Sequence, residues 1–159
     1  MRKLVIYYSY EGNTRFVAQA IAKTISADIL ELKAVYDNNP TGLRKYIWGG
    51  KQVVEKFCPE LEVFPIDPAS YDLVVIGTPV WAFNYSPAIR ALFKDVKLFG
   101  KQIAVFCCHA GLKGNTLANM KDALIGNTIV SEADFLDPFF VSRKKQEKKA
   151  VKWALKLVG

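Results

Sequence analysis

Apolar residues along the chain fall into two alternating patterns, short continuous runs and stretches with 3–4 spacing. Lys3–Tyr8 is a β-rich run bounded by turn residues, which predicts a buried strand. After it, Phe16, Val17, Ala20, Ile21 and Ile25 recur at helical spacing, with Asn13-Thr14 at the opening. A short second strand is expected over Asp28–Lys33, and Asp37-Asn38-Asn39-Pro40-Thr41-Gly42 is turn chemistry. The segment Leu43–Phe57 reads as a helix, although Gly49 and Gly50 each weaken it by ~1 kcal/mol. Asp72–Thr78 is the clearest central strand, apolar on both faces as a parallel sheet requires. Ser86-Pro87 puts a proline at a helix's first position, leading into Ile89–Lys94. A fourth strand is expected over Gln102–Cys107, a helix over Asn115–Leu124, and a weaker fifth strand within Thr128–Phe135, followed by irregular chain to Phe140. Arg143–Val158 closes as a helix with Ala150, Val151, Ala154, Leu155 and Val158 expected to face inward.

Strands alternating with helical segments imply βαβ units, hence a parallel sheet covered on both faces. Five strands with this spacing suit the doubly wound order 2-1-3-4-5. No internal repeat, low-complexity tract or linker interrupts the pattern, so residues 1–159 are expected to form one domain. The chain has 51% hydrophobic and 23% charged residues, a globular balance that excludes disordered and fibrous classes. No apolar run approaches the ~18–20 residues that a membrane span needs. The start, basic and then apolar, has a signal peptide's polarity. Its apolar stretch is short and runs into Gly12-Asn13-Thr14 without a cleavage site, so it reads as a strand and implies a cytoplasmic protein.

Charge and cysteine change this picture only locally. The net charge is +7, and residues 143–159 hold seven basic side chains against Glu147 alone. Lys145, Lys149, Lys152 and Lys156 are expected to form a solvated stripe on the last helix, where an acidic redox partner protein would dock near Lys145, Lys149 and Lys152. Helix-borne lysines also attract nucleic acid and anionic lipid without specificity, so a non-catalytic basic binding module is the less favoured reading, and no specific nucleic-acid partner is expected. Cys58, Cys107 and Cys108 are odd in number with no Cys-x-x-Cys pair, which argues against a disulfide framework, a zinc site or a thioredoxin-type centre. They read as small buried hydrophobes.

In an open parallel sheet, ligands bind beyond the carboxyl ends of the strands at the switch in strand order. Three loops are therefore privileged. The first, Ser9-Tyr10-Glu11-Gly12-Asn13-Thr14, joins a buried strand to a helix and aims N–H groups and hydroxyls at one point, an anion site. An ordinary strand–helix turn with Asn13 or Thr14 as N-cap is the alternative. The second, Thr78-Pro79-Val80-Trp81-Ala82-Phe83-Asn84-Tyr85, carries three aromatics within five residues, flat surfaces able to stack on a planar ring. The third, Cys107-Cys108-His109-Ala110-Gly111-Leu112-Lys113-Gly114-Asn115, is built of small residues that let backbone approach a ligand closely.

The first loop resembles the phosphate-binding loop of flavodoxins, Ser/Thr-x-Thr-Gly-x-Thr, with Ser9, Gly12, Asn13 and Thr14 matching and Glu11 departing from it. All three loops fall at the expected strand ends in the expected order. The resemblance implies a flavodoxin-like fold, non-covalent FMN, and an electron-transfer role. It implies FMN contacts at Ser9, Tyr10, Gly12, Asn13 and Thr14; at Thr78, Pro79, Val80, Trp81, Ala82 and Phe83; and at Cys108, His109, Ala110 and Gly111. The second loop lacks the glycine whose peptide flips toward the reduced ring in flavodoxins, and Asn84, tolerant of unusual backbone angles, is the substitute. His109 and Lys113 stand where flavodoxins carry an aromatic and acids. The missing glycine, Trp81 and Lys113 favour the alternative, an FMN-dependent NAD(P)H:quinone or small-molecule oxidoreductase. Small size and the lack of a visible substrate domain favour the carrier. Receiver-type phosphorylation and tyrosine-phosphatase chemistry are excluded, since the first strand is followed by neither an acidic pair nor Cys-x₅-Arg.

Overall fold

A computed structural model describes residues 1–35, 44–138 and 141–159. Strand β1 is Lys3–Tyr7, β2 Asp28–Glu31, β3 Leu73–Trp81, β4 Asn84–Tyr85, β5 Gln102–His109 and β6 Thr128–Leu136. Helix α1 is Asn13–Ile25, α2 Arg44–Val54, α3 Pro87–Asp95, α4 Thr116–Ala123 and α5 Arg143–Leu155. The turn expected over 37–42, the start of the second helix at Leu43 and the chain at Phe140 lie outside the described residues.

The sheet runs β2-β1-β3-β5-β6 with every neighbouring pair parallel. With the short β4 set aside, this is the doubly wound order that the spacing implied. Side chains alternate across the sheet because successive Cβ atoms point to opposite faces. Leu4, Ile6, Val74, Ile76, Ile103 and Val105 meet α3 and α4 through Ile89, Leu92, Leu117 and Met120. Val5, Leu73, Val75, Ala104 and Phe106 meet α1 and α5 through Val17, Ile21, Ala150 and Ala154. Gly77 is required by its cross-strand partner Phe106, whose ring would lie 2.1 Å from any Cβ built there.

Several expectations shift. Strand β5 continues through Cys107, Cys108 and His109, so the third loop starts later than expected. Cys107 and Cys108 are buried, while Cys58 is only half-buried. Strand β3 runs on to Trp81 and turns back through Ala82-Phe83 into β4, making a two-residue hairpin of the expected second loop. On α5 the inward positions are Gln146, Ala150, Trp153 and Ala154; Leu155 at its end and Val158 beyond it are exposed. Trp153 sets that phase: its Nε1–H donates to Ser131 Oγ at 2.8 Å. Its ring meets Phe106 and Phe135 edge to face. Strand β6 is an edge strand whose register slips opposite Ile103/Ala104, which explains its weak pattern. Among the described residues, no helix is long and apolar enough to cross a membrane.

Candidate functional site

At the carboxyl ends of β1, β3 and β5, the three loops surround a cleft of about 140 Å³. Ser9, Tyr10, Asn13 and Thr14 line it from the first loop, together with the exposed Glu11. Gly12 lies outside the lining but builds it. It is the N-cap of α1 with φ 96°, a left-handed conformation that glycine adopts without strain. The cap therefore falls one residue before Asn13 and two before Thr14, where the alternative had placed it. Ser9 Oγ closes the turn by accepting from the N–H groups of Gly12 and Arg15, both at 3.1 Å. Arg15 reaches Glu31 Oε1 through Nε at 3.2 Å. Thr14 is 1% exposed, and its Oγ1 has no hydrogen-bond partner. The Cys108 sulfur lies close enough to interact with this hydroxyl, but sulfur is a weak acceptor and satisfies it poorly.

The hairpin supplies Pro79, Val80, Trp81 and Ala82 to the cleft. Thr78 is fully buried beneath it, its hydroxyl accepting from Ser86 N–H at 3.0 Å and donating to Pro79 O at 2.9 Å. Phe83 is 60% exposed at the turn and does not line the cleft. The unusual backbone angles fall on Ala82 (φ 46°) and Phe83 (φ 63°), which corrects the expectation for Asn84. These are the left-handed angles of a type I′ hairpin turn, normally given to Asn-Gly. Asn84 instead anchors the turn, its Oδ1 accepting from Tyr85 N–H at 2.8 Å and from Asn119 Nδ2 at 3.0 Å. Tyr85 packs away from the cleft on Phe93.

Trp81 sits in an aromatic group that local pattern did not reveal. Its ring meets Tyr8, Tyr10 and Trp48 at centroid distances of 5.8, 5.6 and 5.7 Å, all edge-on. Gly49 and Gly50 line the cleft and Trp48 packs on Trp81, which brings α2 into the site. Asp137 also lines the cleft; the available signal was Asp137-Pro138, turn chemistry just beyond the last strand.

From β5, Cys108, His109 and Ala110 line the cleft, and Gly111 stands outside the lining. Gly111 N–H donates to His109 Nδ1 at 3.2 Å, so the ring proton is on Nε2, which donates to Asp134 Oδ2 at 3.0 Å. Both imidazole nitrogens are thereby used, and the ring has no hydrogen-bond donor left for a ligand. Lys113 Nζ holds the other carboxylate oxygen at 3.0 Å, so its charge is paired. Burial pushes the Asp134 carboxyl up, but the His109 and Lys113 hydrogen bonds and the nearby Lys113 and Lys149 charges outweigh it and hold it at about 2. Burial pushes the Cys107 thiol up to about 12 and Cys108 well above its ordinary value, so neither is a thiolate at neutral pH.

The chain matches the flavodoxin family over residues 2–153. It is similar to the flavoprotein solved in complex with FMN from Lactobacillus acidophilus NCFM, 25% identical, covering 87% of this chain and 94% of that one with a TM-score of 0.74. A flavoprotein structure from Bacteroides uniformis is 17% identical, covers 93% of this chain and 96% of that one, and has a TM-score of 0.79. Oxidised flavodoxin 2 from Bacillus cereus is 16% identical, covers 98% of this chain and 96% of that one, and has a TM-score of 0.63. No curated protein matches the chain by sequence. Because the family match runs through the strands, the helices and all three cleft-forming loops, this chain belongs to the flavodoxin family.

Proposed function

We propose that the cleft binds FMN and that the protein carries electrons on it. The carrying observation is the Thr14 hydroxyl, buried without a partner at the first turn of α1 and in the same cleft as Trp81. A phosphate oxygen would accept its proton where only the weakly accepting Cys108 sulfur is at hand. Ser9, Gly12, Asn13 and Thr14 hold the phosphate in this reading, helped by first-turn N–H groups and the helix dipole. Pro79, Val80, Trp81 and Ala82 border the ring, and the chain from Cys108 to Gly111 borders its polar edge. The relative from Lactobacillus acidophilus crystallised with FMN supports the same group. When bound, the flavin supplies reversible one- and two-electron chemistry.

The chain's own residues fix the surroundings. The aromatic group around Trp81 excludes water from one side of the cleft. His109 is held in place by Gly111 N–H and Asp134 and shapes the edge. Glu11 and Asp137 put negative charge in the lining. They would accept hydrogen bonds from ribityl hydroxyls and oppose added negative charge at the ring. Electrons leave to an acidic partner protein docked on the exposed lysines of α5. One observation favours the alternative, an FMN-dependent NAD(P)H:quinone or small-molecule oxidoreductase. The hairpin turn carries Ala82 and Phe83, both at positive φ, where the glycine that eases a peptide flip is absent.

The reading is tested by titrating the purified apoprotein with FMN and following flavin fluorescence. One-to-one quenching is expected. No binding at about 100 μM FMN, a limit near −5.5 kcal/mol, overturns it. Rapid quinone-dependent NAD(P)H oxidation by the loaded protein would replace the carrier with the reductase.

A further inference from the structure

Helix α2 carries Gly49 and Gly50 side by side in its interior, where helix propensity favours almost any other residue. Both line the cleft. They differ in what a side chain would meet. A Cβ at Gly49 would lie 3.2 Å from Trp81 Cε3 and 3.4 Å from Trp81 Cδ2, so the indole rests against the bare helix backbone. A Cβ at Gly50 would meet nothing within 4 Å, and the position has helical backbone. Among the described residues, neither strain nor packing demands glycine at position 50. Gly50 itself lines the cleft, so bulk added there would narrow it. The buried, unpartnered Thr14 hydroxyl in the same lining points independently to a ligand in that space.

We propose that the Gly49–Gly50 step is part of the ligand site, with Gly49 positioning Trp81 and the bare α-carbon of Gly50 contacting the ligand's planar ring. Residue 50 then sets how bulky a ring the cleft admits. The inference rests on the FMN reading and extends it to a helix that the three strand-end loops do not include. It gives a role to two glycines that each weaken the helix.

The test uses Gly50→Ala, Gly50→Leu and Gly49→Ala in the full chain, with FMN as the probe. Both residue-50 variants should raise the melting temperature of the ligand-free protein by a few degrees, because alanine and leucine are better helix formers. Both should leave its near-ultraviolet circular dichroism unchanged. Gly50→Ala should weaken FMN binding about tenfold, and Gly50→Leu should weaken it further. Gly49→Ala should alter the near-ultraviolet spectrum of the ligand-free protein, because the Trp81 indole must move. Gly50→Leu binding FMN within about twofold of wild type would overturn the proposal, as would residue-50 variants that melt earlier than wild type. Failure of the wild-type protein to bind FMN would instead bring down the FMN reading and this inference with it, a pattern distinct from a wild type that binds and variants that bind equally well.

Discussion

Thr14 and Asp134 show how single side chains are set for different tasks. Thr14 is 1% exposed with an unsatisfied hydroxyl, a state that carries a desolvation penalty of ~1–3 kcal/mol. Thr14→Val keeps the shape and removes the hydroxyl, so the ligand-free variant should be about 1 kcal/mol more stable in urea melts. The same variant should lose ~1.5–3 kcal/mol of FMN affinity, the worth of a hydrogen bond to a charged group. A variant that is less stable without ligand and binds FMN as wild type does would contradict both statements. Asp134 is the opposite case, fully engaged by His109 and Lys113. Its carboxyl is held at about 2, below its ordinary value of 3.8. A lowered folded-state value means stability that is present above the unfolded value and is lost as pH falls through the folded one. Acid titration of folding should therefore show a loss between about pH 5 and pH 2, and Asp134→Asn should flatten that limb. An unchanged acid limb in the variant would show that other carboxylates carry it.

At the scale of elements, the parts buried on both faces were the easiest to read from sequence. Strands β1, β3 and β5 are continuous apolar runs because helices cover both sides, and their placement settles the doubly wound order. The β3–β5 pairing also makes a sharp prediction. Gly77→Ala drives a methyl into the Phe106 ring, so it should destabilise by ~3 kcal/mol or more in denaturant melts. Phe106→Ala in the same chain should recover part of that loss, since the two residues share one space. Additive effects would mean that the close approach is relieved elsewhere. Other elements left weaker traces. The Ala82-Phe83 turn lacks the Asn-Gly signature of a type I′ hairpin, so Trp81–Tyr85 read as a loop. Strand β6 has one fully buried side chain, Phe135, and a register slip, so little periodicity survived. The phase of α5 was misread because Trp153, not Leu155, fills the space above Phe106 and Phe135. The three strand-end loops were legible because topology alone privileges them. The share of α2 in the cleft was not, since Gly49 against Trp81 is a tertiary contact with no local pattern.

For the molecule as a whole, charge placement matters more than the total of +7. Lys144, Lys145, Lys148, Lys152 and Lys156 are exposed on and just after α5. Lys149 belongs to a different account: its Nζ donates to Asp134 O at 2.6 Å and lies 5.3 Å from the Phe135 ring centroid. It braces β6 beside the His109–Asp134 pair, so neutralising it would disturb the site and the surface together. The basic face also reaches toward the cleft end of the fold, where Arg143 lies over the Phe16 ring at 4.5 Å on the first turns of α1. A stripe of this sign steers an acidic partner by raising its encounter rate, an effect that salt removes. The screening length falls from ~30 Å at 0.01 M salt to ~10 Å at 0.1 M, so most of the steering should vanish across that range. In stopped-flow mixing of the reduced protein with an acidic acceptor, the rate should fall steeply with added salt. Lys145→Glu with Lys152→Glu should lower the low-salt rate about tenfold and converge with wild type at high salt, while FMN affinity stays unchanged. Choosing residues 145 and 152 keeps the comparison clean, because both are exposed and neither lines the cleft. If the wild-type rate is flat across the salt range, or the double variant is equally fast at low salt, the lysines of α5 are a solvated face and the partner docks elsewhere.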